Sequence, residues 1–423
     1  MSIVSKRWPE AAAKKLATDS VPAEGQVTAP LTKRLAASAV LDPRLHQKRQ
    51  PVSSALGAVK AGRMILMVNG GGLENGGGIG RMVGYVMESW NNGVRPTMKI
   101  IDTRGPKYRR IVWPFFFMRC LIQIAREARR RPVLHIHLAG NGSTWRKLII
   151  VYVARLLGLD YLLHLHDGSY STFYARLPRW LRRSVRTMFH NAGRIIALGT
   201  PAATMVAELL EVPRERIHII PNGVPDPTRS RHRNGKDGER QPCILFLGQL
   251  QPRKGVPDLI EALSRRELAG LHWNAILAGG GPDQAGYELQ AAQLGVRDRI
   301  SFPGWVNRAT VASLLDAADI LVLPSYVEEM AMSVLEGMSF GLCVVCTPVG
   351  SLAEVIEDGV SGLVVTPGDI EALAGALATC ITDLSLRSRL GSGARAAYLR
   401  AHNIVDYPDR IAAVYASMMG PAR

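Results

Sequence analysis

One stretch decides the fold: Leu323–Asp369, with the sequence LPSYVEEMAMSVLEGMSFGLCVVCTPVGSLAEVIEDGVSGLVVTPGD. It runs from the end of one apolar strand, through a helical stretch, to the next apolar strand at Leu342–Thr347. Glu328 lies in the loop and Glu336 lies about a turn inside the helix, eight positions later. Two carboxylates at the carboxyl edge of a parallel sheet can face one cleft, where they are well placed to hold hydroxyl-rich ligands.

Strands and helices alternate along most of the chain, which predicts parallel sheets covered by helices on both faces. We predict a disordered tail over 1–60, one domain over 61–225, a polar linker over 226–242 and a second domain over 243–405. Residues 406–423 are predicted to form a helix that packs back toward the first domain. The predicted strands are Met64–Val68, Met98–Asp102, Val133–Leu138, Tyr161–His166, Arg194–Leu198, Ile217–Ile220, Cys243–Leu247, Trp273–Ala278, Arg299–Phe302, Ile320–Leu323, Leu342–Thr347 and Gly362–Val365.

Length and composition agree with this two-domain α/β organisation. A chain of 423 residues is long enough for two cores, and 47% apolar with 21% charged residues is typical of a globular protein. No uncharged apolar run approaches the roughly 18 residues that a membrane-spanning helix needs. The N-terminus has no apolar stretch after its first basic residues, so we expect no secretory signal.

The charge is distributed very unevenly. Residues 1–225 hold 34 Lys and Arg against 13 Asp and Glu, a net +21, whereas residues 226–423 hold 18 against 22, a net −4, which together give +17. This asymmetry predicts an anionic partner for the first half, namely a membrane surface, a polyanionic acceptor or nucleic acid. A merely basic, soluble surface is the simpler alternative, and no recognition motif supports nucleic acid.

The five cysteines are scattered and odd in number, which argues against a disulfide framework and favours a reducing compartment. Cys343 and Cys346 have the CxxC spacing but lie in a predicted strand. Residues three apart on a strand point to opposite faces, so we interpret both as core residues and not as a metal or redox pair.

Basic and glycine-rich loops follow several predicted strands. Gly78 and Gly80 lie in the glycine-rich stretch before a helix predicted from about Arg81, where they allow close approach of a ligand. Gly248, Arg253 and Lys254 follow the first strand of the second domain, where the cations suit a diphosphate. Gly280 follows the next strand along. An alternative is a nicotinamide-binding fold built on Gly78, Gly80 and Gly84 with Asp102, although these glycines lie far beyond the strand.

Histidines also cluster near strand ends. His166, in HLHDGS, is our candidate for a polar contact at a reacting centre, with Asp167 orienting it. His135 and His137 share one face of a strand. We find no third ligand at useful spacing and therefore predict no metal site.

Two further stretches, Trp113–Arg131 and Tyr174–Arg194, combine bulky apolar residues with arginines at helical spacing. Such helices can lie in a bilayer interface and attract anionic lipid. The simpler alternative is that they are ordinary helices covering the sheet.

Together these motifs resemble those of the retaining glycosyltransferases with the GT-B fold, the large family 4, over about residues 62–405. The resemblance implies two Rossmann-like domains facing across a cleft. It implies that Glu328 contacts the donor sugar, that Glu336 binds the nucleotide ribose, and that Lys254 is the family lysine. This chain departs from the family where Gln249 replaces a common arginine and where Glu329, Met330 and Ala331 replace a glycine-containing segment.

The resemblance implies a metal-independent enzyme without a cofactor, which moves a hexose from a UDP- or GDP-sugar to a glycan or lipid-linked acceptor. The motifs most resemble bacterial enzymes of exopolysaccharide synthesis, which would place the chain in the cytoplasm at the inner face of the membrane. Catalytic roles fall to His166, Arg253, Lys254 and Glu328. Alternatives are an NAD(P)-dependent oxidoreductase and a catalytically weak binding protein. The implied donor-binding residues are Gly78, Gly80, Asn222, Gly248, Gln249, Gly280, Glu328, Glu329, Met330, Ala331 and Glu336.

Overall fold

A computed structural model describes residues 63–73, 77–90, 95–106, 110–227 and 241–419. The predicted tail over 1–60 and most of the predicted linker lie outside these residues. Within the described part, the strands form two parallel six-stranded sheets. The fold class predicted from the sequence, two doubly wound α/β domains, is therefore confirmed.

The first domain contains a sheet with strand order β2-β1-β3-β4-β5-β6. Its strands are β1 (Ile65–Asn69), β2 (Met98–Asp102), β3 (Val133–Leu138), β4 (Tyr161–Leu165), β5 (Arg194–Ala197) and β6 (Ile217–Ile219). Its helices are α1 (Gly77–Ser89), α2 (Trp113–Glu127), α3 (Gly142–Leu156), α4 (Tyr170–Ala175), α5 (Arg179–His190) and α6 (Thr200–Glu208).

The second domain contains a sheet with strand order β12-β11-β10-β7-β8-β9. Its strands are β7 (Cys243–Leu247), β8 (Asn274–Ala278), β9 (Ile300–Gly304), β10 (Ile320–Leu323), β11 (Cys343–Cys346) and β12 (Leu363–Val364). Its helices are α7 (Val256–Leu263), α8 (Arg266–Ala269), α9 (Gln284–Gln293), α10 (Arg308–Ala317), α11 (Met332–Ser339), α12 (Ile370–Thr382) and α13 (Leu384–Ala401), and a last helix, α14 (Tyr407–Met419), follows.

Continuous apolar runs make the central strands, because helices cover both faces of each sheet. Every residue of β1, β7 and β11 is buried. The strand β11 carries Cys343 and Cys346 into this core. All five cysteines are free and buried, and the thiols of Cys343 and Cys380 form a hydrogen bond at 3.3 Å between their Sγ atoms and no disulfide. The interpretation of the CxxC spacing as core packing is confirmed.

The last helix lies against the first sheet. The hydroxyl of Tyr415, on α14, is 2.6 Å from Nδ1 of His135 on β3, and Arg194 donates to the carbonyl of Ser417 at 3.0 Å. The segment that leads into α14 runs beside the segment that connects the first domain to the second. Val224 of the connecting segment and Asn403 form a parallel bridge. Two chain segments therefore pass side by side between the domains.

In each sheet the strand order reverses at one point, between β1 and β3 and between β7 and β10. Ligands of open α/β sheets bind outside the carboxyl ends of the strands at such switch points. The loops after β1, β7 and β10 are consequently the first places to look for a site. In the described part of the chain, no helix combines the length and the apolar character needed to cross a bilayer.

Candidate functional site

An ion pair joins the loops after the two central strands of the second sheet. Lys254 follows β7, and its Nζ donates to Glu328 in the loop after β10. The hydroxyl of Ser325 donates to the same carboxylate at 2.8 Å. The two loops touch at Gly255, whose φ is +69°, and a Cβ there would lie 2.0 Å from the carbonyl oxygen of Pro324. Glycine is therefore required where the two loops bring the lysine and the glutamate together.

The neighbouring basic residue faces solvent. Arg253 is exposed, and its backbone carbonyl accepts from the amide of Tyr326 at 3.0 Å. Gln249 is partly exposed after β7, and the amide of Gly248 donates to Ala278 at 3.1 Å. Arg253 and Lys254 thus provide one exposed and one ion-paired cation at the mouth of the switch point.

The second glutamate of the motif is held by the other domain. Glu336, on α11, is 4% exposed and accepts from both sides of its carboxylate. Arg81, on α1, donates to its two oxygens at 3.0 and 2.7 Å, and the hydroxyl of Tyr85 donates at 2.8 Å. A second contact of α1 with this domain pairs Glu88 with Arg308, whose guanidinium also lies 4.7 Å from the Tyr85 ring centre.

Burial is the main influence on the pKa values of Glu336 and Tyr85. It raises the pKa of Glu336, an effect that the neighbouring Arg81 guanidinium opposes. Burial and the adjacent Glu336 carboxylate also raise the pKa of Tyr85, so its hydroxyl stays a donor at neutral pH. Glu336 is therefore a buried acceptor at the boundary between the domains, held by two donors of the first domain.

Glu329, which departs from the family pattern, turns away from Lys254 toward a different partner. Its side chain is buried and accepts from the hydroxyl of Ser351 at 2.7 Å. Burial raises its pKa to about 7, and the charges of Asp167 and Glu354 add to this effect. The carboxyl group is thus about half protonated near pH 7.

Asn222 and Met330 meet at the interdomain crossing. The backbone N–H of Asn222 donates to Sδ of Met330 at 3.2 Å. The side-chain Nδ2 of Asn222 donates to the backbone carbonyl of Met330 at 3.3 Å. Ala331 is buried beside them and is the residue before α11. These contacts position the loop that carries Glu328, and they leave Oδ1 of Asn222 without a partner in the described residues.

The glycines of the first domain have structural neighbours that sequence reasoning did not foresee. The helix α1 begins at Gly77, so Gly78 and Gly80 lie in its first turn and not in a loop before Arg81. A Cβ on Gly80 would lie 2.7 Å from the carbonyl of Gly72, so Gly80 makes room for the protein's own backbone. Gly78 instead faces Met332 of the second domain, 3.7 Å from Cγ.

The prediction for His166 needs one correction. Its Nε2 is 2.9 Å from Nδ1 of His137, whereas the Asp167 carboxylate accepts from the Gly140 amide at 2.7 Å and from Ser169 at 2.7 and 2.9 Å. The Asp167 carboxylate therefore binds the backbone and side chain of neighbouring loop residues and does not orient His166. Desolvation lowers the pKa of His166 to about 3, so its ring is neutral and serves as a hydrogen-bonding group, not as an acid.

The expectation that His135 and His137 lack a third neighbour is wrong. Strand pairing places His164 of β4 directly beside His137, and one ring nitrogen of each of the three histidines lies within 4.8 Å of the others. Sequence spacing could not reveal this, because the register between β3 and β4 determines it. This buried trio could ligate a transition metal, although His135 already bonds to His164 at 3.0 Å and to Tyr415.

Sequence reasoning missed three residues near the site. Arg81 and Tyr85 hold Glu336, and their only signal was their position just after the glycine-rich stretch. The third is Trp305, which is 58% exposed and lies over Gly280, where a Cβ would be 2.4 Å from its ring. A flat, exposed indole after β9 offers a surface on which a planar group can stack.

The nicotinamide alternative finds no support in this geometry. Asp102 would have to accept from a ribose, but its carboxylate accepts from the amides of Gly71 at 2.6 Å, Arg104 at 2.8 Å and Gly105 at 3.0 Å. Within the described residues Glu328 accepts through Oε1, which leaves Oε2 for a hydroxyl-rich ligand, and Glu336 can accept from such a ligand by exchanging one of its present donors. The cations Arg253 and Lys254 stand beside them, and this combination can bind both sugar hydroxyls and phosphate oxygens.

Two protein families match the chain in consecutive segments. The model of Glycosyltransferase Family 4 matches residues 91–226, and that of Glycosyl transferases group 1 matches residues 228–397. The boundary between the two matches falls in the segment between the two sheets.

Individual relatives agree with these families. The chain is 31% identical over 285 residues to a D-inositol 3-phosphate glycosyltransferase of Frankia alni, covering 62% of this chain and 68% of that protein. It is 25% identical over 312 residues to the alpha-D-kanosaminyltransferase of Streptomyces kanamyceticus, covering 69% and 79%. The fold is similar to that of Anabaena Alr3699/HepE in complex with UDP-glucose, with a TM-score of 0.67, 20% identity and coverage of 84% and 99%. The chain belongs to the group 1, family 4 glycosyltransferases with the GT-B fold.

Proposed function

We propose that the protein transfers a hexose from a UDP- or GDP-sugar to a hydroxyl group, with retention of the anomeric configuration. The observation that carries this proposal is the position of the two motif glutamates. Glu328 is fixed by Lys254 at the switch point of the second sheet, and Glu336 lies where the two domains meet. Alr3699/HepE, whose fold is similar, binds UDP and UDP-glucose, which supports a uridine nucleotide as the first donor to test.

Each group has a role in the proposed reaction. Lys254 and Arg253 neutralise the departing diphosphate, and Glu328 accepts from sugar hydroxyls. Glu336 accepts from a ribose hydroxyl. This hydroxyl takes the place of one of the two present donors to Glu336, Arg81 or Tyr85. The bond from the anomeric carbon to the diphosphate breaks, the acceptor hydroxyl attacks from the same face, and its proton passes to the leaving phosphate oxygen. His166 contributes a neutral polar contact, and no metal or other cofactor takes part.

Donor binding tests the roles of the charged groups. Thermal shifts with a panel of UDP- and GDP-sugars identify the base, because a ligand that binds only the folded state raises the melting temperature. We expect Lys254→Met and Glu336→Gln to weaken binding about ten- to hundredfold, since each loses a charged hydrogen bond. Glu371→Gln, at an exposed position on α12, is the matched control.

The reaction itself is tested by transfer to a simple sugar acceptor, with the anomeric configuration of the product read by NMR. Retention supports the proposal. An inverted product, or full transfer by Lys254→Met, would contradict it. A protein that binds nucleotide sugars but transfers nothing would favour the catalytically weak alternative suggested by Gln249 and Glu329.

We propose further that the acceptor is a glycan or a lipid-linked glycan of bacterial surface polysaccharide synthesis, reached at the cytoplasmic face of the membrane. The support is a surface on three neighbouring helices of the basic domain. Phe115 on α2 is 66% exposed, Leu156 on α3 is 69% exposed and Trp180 on α5 is 67% exposed. Further apolar residues follow at helical spacing, namely Met118, Ile122, Trp145, Ile149 and Tyr152.

Arginines flank this apolar surface. Arg179, Arg182, Arg183 and Arg186 on α5 line a shallow hollow beside Trp180. Apolar stripes with adjacent arginines are suited to the interface of an anionic bilayer. We expect the protein to cosediment with phosphatidylglycerol vesicles at low salt, and the double variant Phe115→Ser with Trp180→Ser to lose binding. Trp305→Ser, an exposed tryptophan of the acidic domain, is the control. Equal binding to phosphatidylcholine vesicles, or none to either, would contradict the membrane role.

A further inference from the structure

A group of basic side chains surrounds the turn that follows β1, outside the residues assigned above to the donor. Gly70 begins this turn, Thr103 and Arg104 follow β2, and Arg146 and Lys147 lie in α3, just after β3. These loops leave the carboxyl edge of the first sheet. The same edge carries α1, whose Gly78 faces Met332 of the second domain.

Lys147 places a buried amino group beneath the turn. Its side chain is fully buried, and its Nζ donates to the hydroxyl of Thr103 at 2.9 Å. In the described part of the chain no carboxylate forms a salt bridge with it. Burial, followed by the neighbouring Arg146, lowers the pKa of Lys147 to about 7. A buried ammonium with a single hydroxyl partner is costly unless an anion approaches it.

Arg146 lies at the surface of the same cluster and lacks a hydrogen-bonding partner among the residues that the structure describes. Its Nη2 lies 3.6 Å from the point where a Cβ on Gly70 would stand. The same point is 3.7 Å from Oγ1 of Thr103 and 3.9 Å from Cβ of Arg104. Gly70, Arg104 and Arg146 are each partly exposed. The absence of a side chain at Gly70 thus leaves a small, partly open space lined by a guanidinium and a hydroxyl.

The charges around this space do not balance. Asp102 is the carboxylate that influences both Arg146 and Lys147, and its oxygens already accept from the amides of Gly71, Arg104 and Gly105. Arg146 and Lys147 therefore share one carboxylate within the described residues. A compact oxyanion would balance them, and phosphate matches the planar donor fork of arginine.

We propose that the turn at Gly70 binds a phosphate group carried by the acceptor, with Arg146 as its direct ligand and Lys147 as the buried charge behind it. This inference rests on the proposed function, because it assigns the donor diphosphate to Lys254 and the acceptor to the first domain. The acceptor phosphate has two sources, a soluble phosphomonoester or a lipid diphosphate. Both present the same oxyanion to Arg146.

The test uses the full chain and two probes, glycerol 3-phosphate for the soluble source and geranyl diphosphate for the lipid source. Binding is followed by calorimetry and thermal shift in the wild type, Arg146→Met and Lys147→Met. Gly70→Ala fills the space without removing a charge, and it remains informative if Lys147→Met fails to fold. Arg155→Met, at the exposed end of the same helix, is the control, and Lys254→Met detects a probe that binds at the donor site instead.

We expect Arg146→Met to weaken the binding of at least one probe about ten- to hundredfold, because a charge-assisted hydrogen bond is lost. Gly70→Ala should weaken it in the same direction, and Arg155→Met should bind as the wild type does. The probe that binds more tightly identifies the source. No binding of either probe would overturn the inference, as would binding that only Lys254→Met removes. The proposed function is tested by a separate measurement, the loss of nucleotide-sugar affinity in Lys254→Met. If neither phosphate probe binds, the inference about the acceptor phosphate fails, but the proposed function is not affected.

Discussion

Glu329 is a buried carboxyl group at a position where the family usually has glycine. Its folded-state pKa of about 7 lies above the ordinary value of 4.5, because burial disfavours the charged form. The folded protein therefore holds this proton more tightly than the unfolded chain does. As the pH rises from about 4.5 to 7, folding stability attributable to this group is lost.

We predict that Glu329→Gln removes this pH dependence, because the amide keeps an acceptor for Ser351 and carries no charge. Relative to the wild type, the free energy of unfolding of the variant should rise by about 2–3 kcal/mol between pH 5 and pH 8. Urea unfolding at both pH values measures the difference, and other titrating groups cancel in the comparison. The exposed Glu371→Gln control should show no such change, and an identical effect of Glu329→Gln at both pH values would contradict the prediction.

At the residue scale, the sequence predicted candidate residues where local spacing alone carries the signal. The interval between Glu328 and Glu336 and the basic pair after β7 could be recognised because each lies in one loop or one turn. The partners of Glu336 could not, since Arg81 is 255 positions away. The assignment of Asp167 to His166 was wrong, because adjacency in sequence does not decide which way a loop side chain turns.

Two loops from different domains meet at Gly168. A Cβ at this position would lie 1.9 Å from the carbonyl oxygen of Glu328, which is backbone and cannot move aside cheaply. The loop after β4 thus reaches the loop that carries the first motif glutamate. Glycine is needed here for close approach between elements and not for an unusual backbone angle.

We predict that Gly168→Ala destabilises the protein by about 1–3 kcal/mol, because the methyl group forces the two loops apart. The donor affinity should fall with it, since Glu328 shifts. Gly286→Ala, in helix α9 with nothing near the added methyl group, should be neutral or slightly stabilising. Chemical unfolding and the donor thermal shift check both variants, and a Gly168→Ala protein as stable as the control would refute the steric argument.

The histidines of β3 and β4 raise the question of a metal at the element scale. His137 and His164 each have an Nε2 atom without a hydrogen-bonding partner in the described residues, and His135 bonds to its neighbours through both nitrogens. We predict that dialysis against a chelator changes the transfer rate by less than about twofold, because Lys254 and Arg253 neutralise the leaving group. The rate and the metal content of the dialysed protein are measured together. A rate that falls with the metal content and returns on adding metal would contradict this and would implicate the histidine trio.

Each described strand was predicted to within two residues of its ends, because the two-sided burial of parallel strands leaves continuous apolar runs. The first residues of helices were harder to predict from the sequence. The helix α1 begins at Gly77, and its first turn is rich in glycine, which is unusual within a helix. Packing against the loop at Gly72 stabilises this turn, and such packing has no signature in the local sequence.

At the scale of the whole molecule, α1 is the main connection of the first domain to the motif helix. Arg81 balances the charge of the buried Glu336, and Arg308 pairs with Glu88. The Arg81 side chain is 35% exposed and that of Glu336 is 5% exposed, so solvent screens the pair only in part. Removal of one partner should therefore leave a buried, uncompensated charge.

We predict that Arg81→Met destabilises the protein by about 2–4 kcal/mol and that adding Glu336→Gln recovers most of this loss. The double-mutant cycle, measured by urea unfolding, isolates the coupling between the two domains. Arg63→Met, which breaks a more exposed ion pair with Asp160, should cost less than about 1 kcal/mol. Additive effects of the Arg81 and Glu336 substitutions would show that the pair does not link the domains.

The return of α14 to the first sheet has a consequence for how the chain matures. Tyr415 covers His135, and Met418 packs against Gly193, so residues from the end of the chain complete a core whose strands are translated first. While the ribosome is still making the second domain, the part of the earlier sheet around His135 has no permanent cover. The half of the molecule that is synthesised first is therefore the last to be finished, and a premature stop before Tyr407 would leave it open.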